Sequence, residues 1–266
     1  WDGNDWVQDG VVLTPTSVVG DSFGRQVKMD DNKLAVCANG DDVNGNFAGA
    51  IYTYQWNGTV WVQDATILRP STTEFDQVGY SIAMHNNHMA ARTITTDVVY
   101  TWQWTGTEWE QHNTILDSNS TDSQYGQSLA IFDDKLVVGA PFYDELHYTN
   151  AGGVFTYLWS GSYWAFDDKV LTHGGVADST TFGYTVAIYN ETLVVSAEGD
   201  DTQGNNAGAV YTFIVNDGTL APTPSPTKSP SISPTMSPTQ SPTGEYLIRN
   251  QHIYNKTIAS DTLFWF

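Results

Sequence analysis

Short stretches of alternating apolar and polar residues run along most of the chain, and this pattern is typical of β-strands buried on one face. Four such stretches occupy equivalent places: Gln26–Met29, Tyr80–Met84, Gln127–Ile131 and Tyr184–Ile188. Each leads through a polar turn towards a second strand, as in the β-branched runs Lys135–Ala140 and Thr192–Ala197. No apolar run approaches the roughly 18 residues that a membrane helix needs. We therefore expect an all-β chain without a membrane span.

The strands belong to a fourfold internal repeat. Each repeat contains Trp-x-Gly-x-x-Trp, which predicts a hairpin with a tight turn at the glycine: Trp1–Trp6, Trp56–Trp61, Trp104–Trp109 and Trp159–Trp164. Each repeat also contains an apolar residue followed by glycine: Phe23-Gly24, Val78-Gly79, Tyr125-Gly126 and Phe182-Gly183. A last strand closes each unit: Ile51–Tyr54, Val99–Trp102, Val154–Tyr157 and Val210–Phe213. Four short strands per unit is the periodicity of a β-propeller blade.

The repeat resembles the FG-GAP repeat, the blade unit of integrin α-subunit propellers and of many secreted proteins. The likeness lies in Phe-Gly, in Leu-Val-Val-Gly-Ala-Pro at 136–141 and in Ala-Gly-Ala-Val-Tyr at 207–211. It covers residues 1–215 and is weakest in the second repeat, where Val78-Gly79 replaces Phe-Gly. The resemblance implies a β-propeller of four FG-GAP-like blades in this part of the chain.

The order of strands predicts how the blades are completed. The last repeat lacks an outer strand, whereas Trp6–Leu13 is a spare one, so we expect Trp6–Leu13 to pair with Val210–Val215. A four-bladed ring, part of a larger ring and blades shared between chains all remain open. Because the chain begins inside a repeat, at Trp1, we also expect that a leader precedes it in the precursor.

Charge is concentrated in the repeat region. The formal net charge is -20, and the three cations after residue 215 are balanced by three acids there. An acidic body repels the phosphate backbone, which argues against a nucleic-acid partner. An acidic surface also attracts divalent cations, although solubility alone explains such a surface.

Two acidic loops are the candidate metal sites. The calcium loops that the resemblance implies are missing, because the turns at the expected positions, such as Asp30–Lys33, are too short to wrap the ion. Clustered oxygens occur instead in two longer loops, at Asp41, Asp42, Asn44, Asp200 and Asp201. Calcium is the candidate ion. The alternative is a loop whose side chains bind their own backbone.

The sequence offers no catalytic motif. It contains no nucleophile elbow, phosphate loop or zinc-protease helix. His85 and His88 have metal-like spacing but fall in a predicted turn, and the single cysteine, Cys37, lies in an apolar run. We therefore expect that the protein is not an enzyme.

Candidate glycosylation sites point to secretion. The N-glycosylation pattern occurs four times, at Asn57, Asn119, Asn190 and Asn255. We expect a secreted protein that acts outside the cell or at the cell surface, with covalently attached glycans.

Composition changes after the repeats. Residues 216–244 form a Pro/Ser/Thr-rich spacer, for which proline at every fourth position favours extended polyproline II. It resembles the Ser-Pro-Thr tracts of secreted algal proteins, and it is also consistent with a plain linker. The candidate O-glycosylation sites are Ser225, Thr227, Ser229, Ser231, Ser233, Thr235, Ser237, Thr239, Ser241 and Thr243.

Residues 245–266 form an apolar, β-forming tail. Two strands of this length do not fold alone and are prone to associate. The residues that we expect to bury against another copy are Tyr246, Leu247, Ile248, Ile253, Tyr254, Leu263, Phe264, Trp265 and Phe266.

The favoured function is that of an extracellular structural protein, a subunit of a glycosylated fibre or surface coat assembled as each tail docks on a neighbouring copy. The main alternative is an adhesion or ligand-binding propeller on a glycosylated stalk. An enzyme acting on glycans is the third hypothesis. The tail separates the first two, because a simple adhesin does not need an apolar strand beyond its stalk.

Overall fold

The computed structural model describes residues 12–14, 20–65, 67–116, 123–145, 147–170 and 179–215, together with the strand residues 252–253 and 256–257. These residues form β-strands, turns and loops. Within them, no helix is long and apolar enough to span a membrane.

Four antiparallel sheets follow one another along the chain. The first contains β1 (Phe23–Asp30), β2 (Lys33–Ala38), β3 (Ala50–Trp56) and β4 (Trp61–Gln63). The second contains β5 (Ile82–His85), β6 (His88–Arg92), β7 (Val98–Trp104) and β8 (Trp109–Leu116). The third contains β9 (Ser128–Phe132), β10 (Lys135–Ala140), β11 (Gly153–Trp159) and β12 (Trp164–Val170). The fourth contains β13 (Phe182–Tyr189), β14 (Thr192–Ala197) and β15 (Ala209–Ile214).

The strands of each sheet lie in the order of the sequence, as expected for a repeated meander. A separate short pair, β16 (His252–Ile253) and β17 (Lys256–Thr257), lies in the tail. This architecture confirms the predicted all-β class and the inner and closing strands of the four repeats.

The tryptophan motifs form the predicted hairpins wherever the structure describes them. Trp56 pairs with Trp61, Trp104 with Trp109 and Trp159 with Trp164, with ring centroids 5.4–5.6 Å apart. In the first of these hairpins the turn glycine has φ +94°. The motif Trp1–Trp6 and most of the strand Trp6–Leu13 lie outside the described residues. Leu13 packs on the first sheet, and its strand's pairing with Val210–Val215 stays a prediction.

The glycines of the Phe-Gly-like pairs allow neighbouring sheets to approach closely. A Cβ at Gly79 would lie 2.6 Å from Sγ of Cys37 in the first sheet, and one at Gly183 would lie 2.5 Å from the carbonyl oxygen of Gly153 in the third. Only glycine fits such contacts at φ +85° and +92°. Gly24, the first of these glycines, meets no described atom within 4 Å. The leading edge of the first sheet therefore has no such neighbour among the described residues.

The core lies mainly between consecutive sheets. Ala35, Cys37 and Ile51 of the first sheet are fully buried against residues such as Val78 and Ile82 of the second repeat. The third sheet is buried on both faces, since Leu136 contacts one neighbour and Val137 the other. Each sheet thus covers the face of the one before it.

Candidate functional sites: two acidic loops and the fourth sheet

The two acidic loops, at 40–49 and 199–208, have the same backbone structure. Gly49 N donates to the Asp41 carbonyl at 3.0 Å, and Gly208 N donates to that of Asp200 at 2.9 Å. Each loop begins with a buried aspartate, and Asp41 and Asp200 are 1% and 4% exposed. The loops are therefore two copies of one structure, at the ends of the first and fourth sheets.

The aspartates hold the loops together. Asp41 Oδ1 accepts from Val43 N at 3.1 Å, and the tyrosine that follows the loop, Tyr52, donates its hydroxyl to Asp41 Oδ2 at 3.0 Å. In the fourth sheet, Asp200 Oδ1 accepts from Thr202 N at 2.9 Å, and Asp200 Oδ2 accepts from the Tyr211 hydroxyl. These contacts stabilise the turn in the way expected of the self-binding alternative.

The remaining candidate metal ligands point to the same arrangement. Asp42 Oδ1 accepts from Phe47 N at 2.7 Å, and Asp201 Oδ1 accepts from Asn206 N. Asn44 donates its side-chain amide to the Arg69 carbonyl at 3.1 Å. Within the described residues, no group of three or more His, Cys, Asp or Glu side chains is placed to hold a metal ion. The calcium site stays a prediction, and these contacts favour a self-stabilised loop.

The first loop also contains a strong ion pair. Arg69 donates from Nε and Nη2 to the two carboxylate oxygens of Asp41, at 2.8 and 2.7 Å. Burial on its own would raise the pKa of Asp41, but the hydrogen bonds from Arg69, Val43 and Tyr52 outweigh it and hold the pKa below its usual value. Burial and the bond to Asp41 raise the pKa of Tyr52 to about 12. Sequence reasoning singled out Asp41 but missed Arg69, which lies 28 positions away along the chain.

The third sheet has a related pair. Lys169 on β12 donates to Glu145 Oε2 at 2.7 Å and to the Tyr143 hydroxyl at 3.2 Å. Burial on its own would lower the pKa of Lys169. The hydrogen bonds to Glu145 and Tyr143 outweigh burial, so the pKa lies above its ordinary value. In both the first and third sheets, a cation from the outer strand or just beyond it binds an acid of the adjacent loop.

The fourth sheet exposes a face that is covered in the other three. In each of the first three sheets, the face that is directed towards the next sheet is covered by it. The buried residues on these faces include Ala35 and Cys37 in the first sheet, Ala90 and Arg92 in the second, and Val137 in the third. The matching residues Val194, Ser196 and Val210 are only half-buried. The fourth sheet also has three described strands where the others have four. Among the described residues, this face is therefore less covered than the corresponding faces of the first three sheets.

Two of the predicted N-glycosylation sites lie in described turns. Asn57 and Asn190 are exposed. The Asn57 side-chain oxygen accepts from Thr59 N and Val60 N, both at 2.9 Å, so its amide nitrogen faces away from the turn's own hydrogen bonds. Asn119, Asn255 and all the O-glycosylation candidates lie outside the described residues. The self-association residues also lie there, except that the backbone of Ile253 belongs to β16.

Comparison with protein families finds FG-GAP repeats in the chain. The family model described as FG-GAP repeat matches residues 6–54 and 164–213. The first range contains β1, β2 and all but the last two residues of β3. The second contains β12 and, apart from the last residue of β15, the strands of the fourth sheet. The chain therefore carries FG-GAP repeats and has a β-propeller-like fold of four antiparallel sheets, as predicted.

No curated protein matches the sequence. Among solved structures, the N-terminal domain of Nup159 is similar with a TM-score of 0.40 and 10% identity, covering 73% of this chain and 45% of that one. A putative 6-phosphogluconolactonase from Bacteroides fragilis gives 0.45 and 11%, covering 73% and 51%. A glutaminyl cyclase from Myxococcus xanthus gives 0.40 and 10%, covering 74% and 70%. The chain spans about half the length of the first two.

Proposed function

We propose that the protein is a subunit of an extracellular, glycosylated fibre or surface coat, in which the tail of one copy docks on the sheets of the next. The observation that carries the proposal is the half-buried face of the fourth sheet, at Val194, Ser196 and Val210. The same chain carries an apolar tail, 245–266, beyond a proline-rich spacer. A chain with an open sheet face and an apolar segment on a long tether contains both halves of an interface.

The energetic argument favours association. Each large apolar side chain of the tail contributes about 1.5–3 kcal/mol when it is fully buried, before ordering costs are subtracted. Leu263, Phe264, Trp265 and Phe266 follow one another at the end of the tail. A stiff spacer of 23 residues, 221–243, reaches roughly 70 Å in polyproline II. That reach favours a neighbouring copy over the chain's own sheets.

The geometry of such docking gives open assemblies. The tail and the sheet face are different surfaces, so each copy offers one of each to its neighbours. Heterologous contacts of this kind extend into filaments unless the rotation between copies closes a ring. A fibre or coat is the form of assembly that this pairing produces.

Sedimentation velocity tests the proposal. At tens of micromolar, we expect the full chain to sediment as a distribution of oligomers and a chain truncated after Thr243 to sediment as a monomer. A full-length variant with Trp265→Asp and Phe266→Asp is the matched control for loss of the apolar end without loss of length. If the full chain and both variants are monomers, the structural role fails and the adhesion role replaces it.

The adhesion alternative has its own support. Tyr163, just before β12, and Phe166, on β12, are 53% and 60% exposed. Exposed aromatic rings are common at surfaces that bind partners. A glycan or protein that binds a monomeric chain through these rings would favour an adhesion propeller on a stalk.

A further inference from the structure

The segment 67–72, which follows the first sheet, fills the space beside that sheet's acidic loop. We call this space, bounded by Ile51, Asp41 and Gly45, the socket. Leu68 pairs with Ile51 through two backbone bonds, of 2.9 and 3.0 Å. The next residue, Arg69, binds Asp41. The chain then runs along the loop so closely that a Cβ at Gly45 would lie 3.0 Å from the Thr72 carbonyl oxygen. An edge pairing, an ion pair and close packing thus seal the first loop.

In the part of the chain that the structure describes, the fourth sheet has the same socket without an equivalent of Leu68 and Arg69. The repeat aligns Val210 with Ile51, Asp200 with Asp41 and Tyr211 with Tyr52. Among the described residues, Asp200 has no ion pair, Val210 has no partner equivalent to Leu68, and Gly204 meets no atom within 4 Å. The socket therefore fits an extended segment with an apolar residue followed by a cation.

The tail contains this sequence. Leu247-Ile248-Arg249 repeats the pattern of Ile67-Leu68-Arg69, and the chain has four arginines in all. A Leu/Ile pair followed by arginine occurs at these two places and nowhere else in the sequence. The predicted strand Trp6–Leu13 competes for this edge, because the repeat aligns Leu13 with Leu68, and the two occupants exclude each other at Val210. Among the described residues Leu13 packs on the first sheet and forms no bridge with Val210. Thr14, which stands where Arg69 stands in the repeat, offers no cation to Asp200.

We propose that Leu247-Ile248-Arg249 of one copy docks in the socket of the fourth sheet of a neighbouring copy. Ile248 pairs with the edge of β15 at Val210, and Arg249 forms a two-pronged ion pair with Asp200. Two parallel N–H···O bonds give such a pair geometric specificity as well as energy. The choice of a neighbouring copy rests on the proposed function, whereas the choice of segment and socket rests on the first loop.

A pair of cysteines in the full chain tests the contact directly. Paired antiparallel residues have Cα atoms about 4.5–5.5 Å apart, which a disulfide can span. We expect Val210→Cys with Ile248→Cys to give a ladder of disulfide-linked oligomers on a non-reducing gel. The control is Val27→Cys with Ile248→Cys, because Val27 is 56% exposed but lies on β1 of the first sheet. The native Cys37 is fully buried and does not compete.

The products separate the two proposals. A 210–248 disulfide within single chains would support the segment and socket and overturn the neighbouring copy, and with it the fibre. Oligomers in sedimentation without a 210–248 disulfide would overturn the socket and leave the fibre standing. Monomers without that disulfide would overturn both.

Charge exchange in the full chain gives an independent readout. We expect Arg249→Asp to raise the concentration needed for assembly by about tenfold or more, as for loss of one partner of a desolvated charge pair. Lys256→Asp makes the same charge change elsewhere in the tail and should have little effect. Mixing the Arg249→Asp protein with an Asp200→Lys protein should restore assembly, because the charges are complementary again between copies.

Asp200 also supports its own loop, so circular dichroism must first show that Asp200→Lys folds. Asp200→Asn is the second variant if it does not, and it should weaken assembly without restoring it on mixing. Assembly of Arg249→Asp at the wild-type concentration would overturn the ion pair and the docking mode that depends on it.

Discussion

At the scale of single residues, the buried charge of Asp41 is neutralised by a partner that is distant in sequence. Asp41 is 1% exposed, and its negative charge is balanced by Arg69 from the segment after the outer strand. Removing one member of such a pair leaves the other charge buried without compensation, which costs more than the pair itself contributes. The ion pair therefore ties the acidic loop to the chain that passes beside it.

Replacing Arg69 tests this role. We expect Arg69→Met to lower the free energy of unfolding by about 3 kcal/mol, because Asp41 would lose both charged hydrogen bonds. Arg25→Met is the control, since Arg25 is exposed and makes a cation–π contact with Tyr80 at 5.4 Å. Urea denaturation measures both. Equal losses in the two variants would contradict a special role for the buried pair.

His88 gives the stability of the protein a pH dependence. Its ring is buried 4.7 Å from the Trp159 ring and 5.2 Å from that of Trp164. Burial, with a smaller effect of His112, lowers the pKa of His88 below its ordinary 6.5. The unfolded chain then binds the proton more readily, so stability is lost as the pH falls through about 6.5, and the loss is complete below the lowered pKa of the folded state.

Thermal denaturation at pH 7.5 and pH 5 measures this effect. We expect His88→Phe to have a smaller decrease in stability between the two pH values than the wild type. His147→Phe, at an exposed position, should retain the full decrease. An unchanged pH dependence in the His88 variant would assign the decrease to carboxylates alone.

At the scale of elements, the glycine before each inner strand determines how closely two sheets pack. Gly24 and Gly183 occupy the same place in the repeat and have φ +90° and +92°. Only Gly183 meets the backbone of the preceding sheet. The same substitution at the two positions therefore separates backbone strain from contact between sheets.

We expect Gly24→Ala to cost about 1–2 kcal/mol, the strain of a left-handed alanine. Gly183→Ala should cost about 1–3 kcal/mol more, because the added methyl group would overlap the Gly153 carbonyl and force the sheets apart. Denaturation in urea gives both values. A similar cost at the two positions would show that the third and fourth sheets separate easily.

Strands and hairpins were predictable from the sequence because their signals are local. Alternation over a few residues and the turn glycine in Trp-x-Gly-x-x-Trp lie within single elements, and Trp56 and Trp61 pair as expected. The partner of an aspartate is a different problem. Nothing near Asp41 in sequence indicates Arg69, and that contact follows only from the pairing of Leu68 with Ile51. The acidic residues of the candidate site could therefore be predicted from the sequence. The arginine that neutralises Asp41 could not, because it is distant along the chain.

At the scale of the whole molecule, the charge opposes the assembly that the tail favours. Each copy carries a formal charge of -20, and the tail itself is neutral. Copies that dock must bring acidic surfaces together. At 0.1 M, salt limits this electrostatic repulsion to distances of about 10 Å. The same salt does not weaken the stabilisation that comes from burying apolar side chains.

Assembly should therefore increase with moderate salt. We expect a larger sedimentation coefficient in 200 mM than in 20 mM sodium chloride (about a threefold shorter screening length). Bovine serum albumin in the same buffers serves as a control for changes in the solvent. Dissociation with added salt would mean that exposed ion pairs, and not apolar burial, dominate the contact.

Glycosylation also belongs to the whole molecule. We expect the protein from its native source to carry N-glycans, with Asn57 and Asn190 among the four predicted sites, and to lose mass when N-glycans are removed. Enzymatic removal of N-glycans before mass spectrometry, with site mapping of the resulting peptides, measures the occupancy. A mass that the enzyme leaves unchanged, with unmodified peptides at Asn57 and Asn190, would exclude N-glycans at these sites.

The single cysteine offers a way to observe the sheets separating. Cys37 is fully buried where the glycine of the second repeat, Gly79, lies against it, and burial raises the pKa of its thiol to about 12. Such a thiol reacts only after the first and second sheets part and water reaches the sulfur. The rate at which an alkylating reagent modifies the native protein therefore measures how often the first and second sheets separate. Repeated in assembled and unassembled samples, it reports whether polymerisation tightens an interface far from the point of contact.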